Sequence, residues 1–378
     1  MIKFWTYKNE YKLIREKIHL SLDSVLNSGT LFFGKQLDKF ENNFIKMNKL
    51  TYGTSVKTGT DALIISLMAL GIKKDDEIIT VANTAIPTIS AIKFIHAKIK
   101  LVDVGVDYLI DVNKIEKLIT KKTKVIIPVH LYGQSCDMDK IISIAKKYKL
   151  KIIEDCAQAQ GAKYNNKLVG SFGDLSCFSF YPTKILGAYG DGGFVGTKNK
   201  KLFEKVKRIR FYGIETINRK NKFYNKYYAN ENGMNSRLDE IQASILNIKM
   251  PRVKNSIKKR QNIAKIYHKE LCKTKLKLPI VNNNCSHVYH LFVVYHPKRD
   301  QIMKRLINKK IFTNIQYPYP IHKMKAYKNL GDKKNNQLKN AENYAKGIFS
   351  LPIYPELEDK KLYKIIKELK NILNNKNL

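Results

Sequence analysis

Four short runs rich in isoleucine and valine recur in the first half of this chain, each separated from the next by a stretch of different spacing. They are Glu77-Ile-Ile-Thr-Val-Ala, Ile99-Lys-Leu-Val-Asp-Val, Val125-Ile-Ile-Pro-Val-His and Lys151-Ile-Ile-Glu-Asp-Cys. Apolar runs of this length, without strict alternation, suit strands covered on both faces. Between them, Asp111 is placed to cap a helix over Val112–Thr120, and Asp137 precedes Ile141, Ile142, Ala145 and Tyr148, which share one helix face. Strands alternating with helices predict βαβ units and a mainly parallel sheet. Ligands of such sheets bind beyond the carboxyl ends of the strands, so chemically active residues are expected there.

The texture changes near Met250-Pro251. A Lys-rich helical stretch, Arg252–Leu271, is followed by the strand-like run from His287 to Tyr295, a helix around Arg299–Lys309 and the loop Gln316-Tyr-Pro-Tyr-Pro-Ile-His322. Near the end, Leu362, Ile365, Ile366, Leu369, Ile372 and Leu373 form one apolar stripe with lysines opposite. The expected architecture is α/β, with a large domain over residues 1–250 and a smaller α+β domain over 251–378. The N-terminal segment is a candidate to pack on the smaller one.

Charge needs an explanation, because 70 Lys+Arg against 32 Asp+Glu give a formal net charge of +38. Such a balance fits nucleic acid, an anionic membrane surface or small anions. Lys far outnumbers Arg, however, and is spread along the chain, whereas nucleic-acid readers lean on the planar fork of Arg. We read a Lys-rich solvated surface, with no nucleic-acid partner and no membrane insertion. The longest nearly unbroken apolar run, Ala62–Ile72, is far below the ~20 residues that cross a bilayer. The N-terminus lacks the apolar core of a secretory signal, and five scattered cysteines without CxxC spacing point to reduced thiols in a cytoplasm. The histidines show no metal spacing, so no metal site is expected.

Three clusters carry chemistry. Glu154-Asp155-Cys156-Ala157-Gln158 ends a buried strand, where a carboxylate must find a positive partner or donors; a helix cap or a structural ion pair would also account for Asp155. Lys184 lies between Cys177-Phe-Ser-Phe-Tyr-Pro-Thr and the Gly-rich turn Gly187-Ala-Tyr-Gly-Asp-Gly-Gly193. A lysine whose pKa is lowered by its surroundings forms Schiff bases with carbonyls. Upstream, Lys57-Thr-Gly-Thr-Asp61 opens an apolar helical segment and suits either a phosphate cradle or an ordinary cap. A phosphate cradle, an acid for a ring nitrogen and a lysine in a glycine-rich turn are together the parts that pyridoxal phosphate requires.

In order along the chain, GTDALIISLMALGI, EDCAQAQGA, GSFGDLSCFSFYPTKILGAYGDGG and NSRLDEIQASIL resemble the DegT/DnrJ/EryC1/StrS family of nucleotide-sugar aminotransferases, over about Gly29 to His322. The resemblance implies the aspartate-aminotransferase fold (fold type I of pyridoxal phosphate enzymes). It implies that Lys184 forms the internal aldimine with pyridoxal 5′-phosphate, that Asp155 pairs with the pyridine nitrogen and that Gln158 contacts the ring hydroxyl. Thr60, the backbone of Asp61 and Ser179 would hold the phosphate. Asn235 would reach the phosphate of the neighbouring subunit's cofactor, which makes a homodimer with shared sites the expected assembly. Lys184 also argues against the related dehydratases, which carry His there.

One departure stands out: many members place an aromatic residue over the cofactor ring where this chain has Ala85, with Tyr132 as a candidate replacement. For the substrate, the resemblance places Arg210 and Tyr212, in Arg210-Phe-Tyr-Gly213, at the nucleotide diphosphate. A surface ion pair would explain Arg210 equally. His322 would lie near the sugar. The loop from Gln316 to His322 and Ala326-Tyr327 resemble the branch that aminates dTDP-linked 3-keto-6-deoxyhexoses with L-glutamate as donor, for surface glycan biosynthesis. A 4-keto or UDP-linked sugar is the alternative within the class. A non-catalytic basic binding protein on the same fold is the alternative outside it.

Overall fold

The computed structural model describes residues 1–214, 228–330 and 338–375. Its main sheet takes β1 (Tyr52–Val56), β2 (Glu77–Val81), β3 (Lys98–Val102), β4 (Thr123–Ile126), β5 (Lys151–Asp155), β8 (Leu175–Ser179) and β9 (Gly193–Thr197), in the order β1-β9-β8-β5-β4-β2-β3. Neighbours from β3 through β8 pair parallel, while β9 is antiparallel to both β8 and β1. The four Ile/Val runs therefore form the strands expected of them, and the class is α/β with a mostly parallel central sheet. Short strands β6 (Lys163–Tyr164), β7 (Lys167–Leu168) and β10 (Cys285–Ser286) make a separate small sheet.

Helices cover the main sheet and explain its apolar faces. α3 (Gly59–Ala69) is almost wholly buried, from Ala62 to Leu67, and packs on β8, β9 and α4 (Ile86–Phe94). Its start is set by Thr58, whose hydroxyl accepts from Asp61 N at 2.9 Å. The same device starts α5 (Met138–Tyr148) at Asp137, α6 (Lys200–Ile209) at Asn199 and α7 (Glu240–Lys249) at Asp239. α2 (Lys35–Asn48) buries Phe40 and Phe44 among Phe178, Phe180 and Phe194. α1 (Lys8–Asn27) lies on α7, with Ile14 and Ile18 against Ile245 and an ion pair from Lys249 to Glu10 at 2.8 Å.

One expected helix is absent. Val112–Thr120 forms two single 3₁₀ turns, Val112–Lys114 and Glu116–Leu118, although Asp111 does cap the first. The segment is short and carries β-branched Val112, Ile115, Ile119 and Thr120, so too few good helix formers remain to repay nucleation.

A second core gathers α8 (Val253–Leu271), β11 (Phe292–Tyr295), α9 (Arg299–Asn308), β12 (Ile348–Leu351) and α11 (Asp359–Asn374). All six members of the C-terminal apolar stripe are buried on α11, each worth about 2 kcal/mol of removed apolar surface. Ile2 joins this core and is tied to it by main-chain bonds to Lys310 O (2.8 Å) and from Phe312 N (3.0 Å). Strands β11 and β12 pair antiparallel; Val293 and Ile348 face the first core instead, beside Ala341 of α10 (Lys339–Gly347). The two cores thus meet along this ribbon, and the loop from Ile311 to His322 runs from the second core to the carboxyl end of β2, where Ile321 N donates to Ala82 O at 3.2 Å.

Candidate active site

Five chain segments end at one edge of the sheet. β1 leads into Thr58-Gly59-Thr60, β2 into Thr84-Ala85, β4 into Val129, β5 ends on Asp155 and β8 on Ser179. Because β9 runs the other way, its start brings Asp191 and Gly192 to the same edge. Together they wall a cavity of about 330 Å³ that also holds Gln158, Tyr181 and Lys184.

Asp155 and Lys184 share this cavity and oppose each other electrically. Asp155 is 5% exposed. Its Oδ2 accepts from Thr88 Oγ1 at 2.9 Å, and its Oδ1 from Ala157 N at 3.1 Å. Burial raises its carboxyl pKa, and these two donors and the charge of Lys184 work against that shift. Lys184 lines the cavity half-buried, and desolvation there lowers its pKa to about 8, while the Asp155 charge pulls the other way. A lysine so placed is a nucleophile near neutral pH. Asp155 is a buried carboxylate whose charge is completed by a cation, such as a protonated ring nitrogen.

The helix end beside them is built for an anion. Gly59 permits a close approach, since a Cβ there would lie 2.6 Å from Ser179 Cβ; at Gly193 a Cβ would meet Thr58 O at 2.2 Å. These contacts bring the N-terminal end of α3 and the residues Thr60 and Ser179 to one wall. Asp61 does less than expected. Its N–H is taken by Thr58 Oγ1, and its carboxylate accepts from Ser236 Oγ at 2.7 Å. Cradle, carboxylate and lysine fit pyridoxal phosphate: Lys184 would hold its aldehyde carbon, Asp155 its ring nitrogen, and Thr60 and Ser179 its phosphate.

Gln158 is pinned from both sides. Its Oε1 accepts from Tyr132 N at 2.9 Å, and its Nε2 donates to Tyr317 Oη at 3.0 Å. Burial pushes the Tyr317 phenol up to about 12. Tyr132 is buried, with its hydroxyl donating to Gln316 O and accepting from Asn83 Nδ2, and it does not line the cavity. It is therefore no substitute for the aromatic residue missing at Ala85, which does line the wall. The aromatic ring present in that wall is Tyr181, 53% exposed. Thr88, Tyr181 and Tyr317 were missed by sequence reasoning. The Tyr/Pro loop stands out in the sequence, but nothing in it marks which tyrosine turns toward Gln158.

The remaining expected residues lie outside this wall. Arg210 is buried, and its Nη1 donates to Glu41 Oε1 (2.8 Å) and Ser55 O (2.7 Å), with Phe33 over the guanidinium. It is not the surface ion pair considered above, and its fork is not presented to the cavity. Tyr212 is exposed with φ 57°, and Asn235 is exposed in a bridge with Phe211. His322 Nε2 pairs with Glu342 Oε1 at 2.9 Å, while its Nδ1 is buried without a partner among the described residues.

Comparison with known proteins agrees with this construction. Residues 12–370 match the DegT/DnrJ/EryC1/StrS aminotransferase family. The chain is 39% identical over 98% of its length to a dTDP-3-amino-3,4,6-trideoxy-alpha-D-glucose transaminase of Micromonospora megalomicea subsp. nigra, 98% of which is covered. It is 40% identical over 97% of its length to a dTDP-3-amino-3,6-dideoxy-alpha-D-galactopyranose transaminase of Aneurinibacillus thermoaerophilus, covering 98% of that protein. The crystal structure of DesV from S. venezuelae with a ketimine intermediate superposes with a TM-score of 0.93 at 33% identity, covering 99% of both chains. NtdA of Bacillus subtilis with bound pyridoxamine phosphate gives 0.87 at 31% identity, over 95% of this chain and 82% of that one. The chain belongs to the DegT/DnrJ/EryC1/StrS aminotransferase family and is a sugar aminotransferase with pyridoxal 5′-phosphate as its cofactor.

Proposed function

We propose that the chain moves an amino group from L-glutamate to a dTDP-linked 3-keto-6-deoxyhexose, giving a dTDP-3-amino-3,6-dideoxyhexose for a surface glycan. The observation that carries the chemistry is Lys184 facing Asp155 across a cavity walled by the start of α3. When bound, pyridoxal phosphate supplies an electron sink for the carbon that loses its proton. Lys184 Nζ, with its pKa lowered to about 8, both anchors the cofactor and, once released, takes up and returns that proton. Asp155 keeps the ring nitrogen protonated. Thr60, Ser179 and the helix N-terminus orient the phosphate, and Gln158, held by Tyr132 and Tyr317, orients the ring hydroxyl.

The sugar reading is supported by two relatives named as dTDP-3-amino-sugar transaminases. Incubating the enzyme with ¹⁵N-glutamate and the dTDP-3-keto sugar, its 4-keto isomer and a UDP-linked ketosugar tests it. The expected product carries label at C3 of the dTDP sugar; label only at C4, or only on the UDP sugar, refutes it. Full turnover by Lys184→Ala would refute the lysine's role.

A homodimer completes the proposal. Asn235 is exposed, and α1 presents Leu13, Leu20 and Leu26 at 65%, 71% and 58% exposure, apolar surface that a second copy would cover. Among the described residues no helix is long and apolar enough to cross a membrane, and all five cysteines are free thiols. The thiols support a reducing cytoplasm as its location.

A further inference from the structure

Around the end of β5, on the face opposite the Asp155 carboxylate, lies a second polar cluster whose residues do not line the cavity. His130, Glu154 and Cys156 bring three potential metal-ligating atoms within 4.8 Å of one another, all buried. The lone pairs of the first two are already spent. Glu154 Oε1 accepts from the backbone N–H groups of Phe172 (2.8 Å) and Gly173 (2.7 Å). Its Oε2 accepts from Gly170 N (2.8 Å) and His130 Nε2 (3.1 Å). His130 Nδ1 accepts from Cys136 N at 3.0 Å, which leaves Nε2 to donate to Glu154. Burial pushes the Cys156 thiol far up, so it stays protonated. A cation would have to displace bonds from four backbone groups, and the cluster is a hydrogen-bonded joint instead.

What the joint holds is β5 at the residue before Asp155. Alternation along the strand sends Glu154 to the opposite face from Asp155. The main chain of Asp155 is fixed on the same side of the joint: its N–H donates to Pro128 O at 2.9 Å, and its carbonyl accepts from His130 N at 3.0 Å. His130 thus grips β5 twice, through its backbone at Asp155 and through its side chain at Glu154. Burial alone would push the Glu154 carboxyl up, yet His130 and the loop amides hold it below the ordinary range, so the anchor remains an anion.

We propose that His130 and Glu154 are positioning residues, a buried strut that fixes the main chain of Asp155 and thereby aims its carboxylate at the ring nitrogen of the cofactor. The inference rests on the reading of Asp155 given above. Thr88 and Ala157 set the rotation of the carboxylate, whereas the strut sets where its Cα stands. Small displacements of a group that supports a cofactor contact are costly, because the contact depends on geometry.

The test uses holoenzymes of the wild type, His130→Gln, His130→Leu, Glu154→Gln and Asp155→Asn. Each is read by cofactor loss on dialysis, the absorbance band of the retained cofactor and the thermal midpoint. The Gln amide nitrogen still donates to Glu154; the Leu side chain does not. Glu154→Gln and His130→Leu are expected to weaken cofactor retention about tenfold and move the band in the direction that Asp155→Asn moves it, with His130→Gln within about twofold of wild type. Unchanged retention and band in Glu154→Gln and His130→Leu overturn the strut, as does a His130→Gln that falls as far as His130→Leu. If Glu154→Gln does not fold, the two His130 variants decide alone. An unchanged band in Asp155→Asn would instead refute the ring-nitrogen assignment.

Discussion

Replacing Arg210 by alanine separates two roles for this residue, a ligand of the nucleotide diphosphate and a strut between α2 and β1. Its guanidinium Nη1 donates to Glu41 Oε1 and to Ser55 O, and its side chain is 7% exposed against 17% for Glu41. Glu41 also accepts from Ser55 N at 2.7 Å and Thr54 Oγ1 at 3.0 Å. Removing the guanidinium leaves a largely buried carboxylate with two donors and no cation, and Ser55 O without that bond. Breaking a buried pair from one side costs about 3–5 kcal/mol, and the two surviving donors place this case near the lower end. A double-mutant cycle with Glu41→Gln should recover part of that loss as coupling. Urea unfolding measures the stability and steady-state kinetics the KM for the nucleotide sugar. We expect a loss of about 3 kcal/mol with KM changed less than about threefold. Unchanged stability with a KM raised tenfold or more would refute the structural role and restore Arg210 to the phosphates.

Other outcomes follow from the same geometry. Lys184 titrates near pH 8 in the folded protein rather than at its ordinary 10.5, so above about pH 8 it is neutral while an unfolded chain still protonates it. Capture of pyridoxal phosphate by cofactor-free protein should accelerate as pH rises through about 8, and Asp155→Asn should move that midpoint down; a midpoint near 10.5 would contradict the burial argument. Gly59→Ala should cost about 1–3 kcal/mol from overpacking on Ser179, with cofactor retention measured by dialysis falling more than the thermal midpoint. If the site is shared as proposed, mixing Lys184→Ala subunits with Asn235→Ala subunits should restore about a quarter of wild-type activity, because a mixed dimer would then hold one intact site of its two. No recovery after subunit exchange would refute the shared site.

Local signals made the frame legible. Ile/Val runs announced β2 to β5, single capping residues announced α3 and α5, and the stripe from Leu362 to Leu373 announced α11. Each is decided within a few residues by periodicity and a cap. Lys184, Asp155 and the turn at Thr58–Thr60 were legible only as an ordered set, because each alone also fits a cap, an ion pair or an ordinary lysine, and the family resemblance joins them. Thr88 and Tyr317 were not. They meet Asp155 and Gln158 across sequence separations of 67 and 159 residues, and a threonine in a helix or a tyrosine in a loop carries no local mark of such a meeting. The partner of Arg210 is hidden for the same reason, since Glu41 lies 169 residues away. Val112–Thr120 failed differently: a good cap was present without enough helix behind it.

The reversed direction of β9 has a further consequence. Ser179 and Gly193 are paired in register, so the chain that carries Lys184 departs from and returns to one edge of the sheet. A parallel β9 would need a crossover of about a dozen residues or more toward the opposite edge, and the amine would leave with it. Here the amine rides on a loop whose two ends are bonded to each other. Within that loop Ala188 N donates to Phe180 O at 2.7 Å and Leu186 N to Gln160 Oε1 at 2.6 Å, so its path is held as well as its ends. A change of length there would carry the amine away from Asp155 and the start of α3, so the span of this tether is fixed by the site it serves.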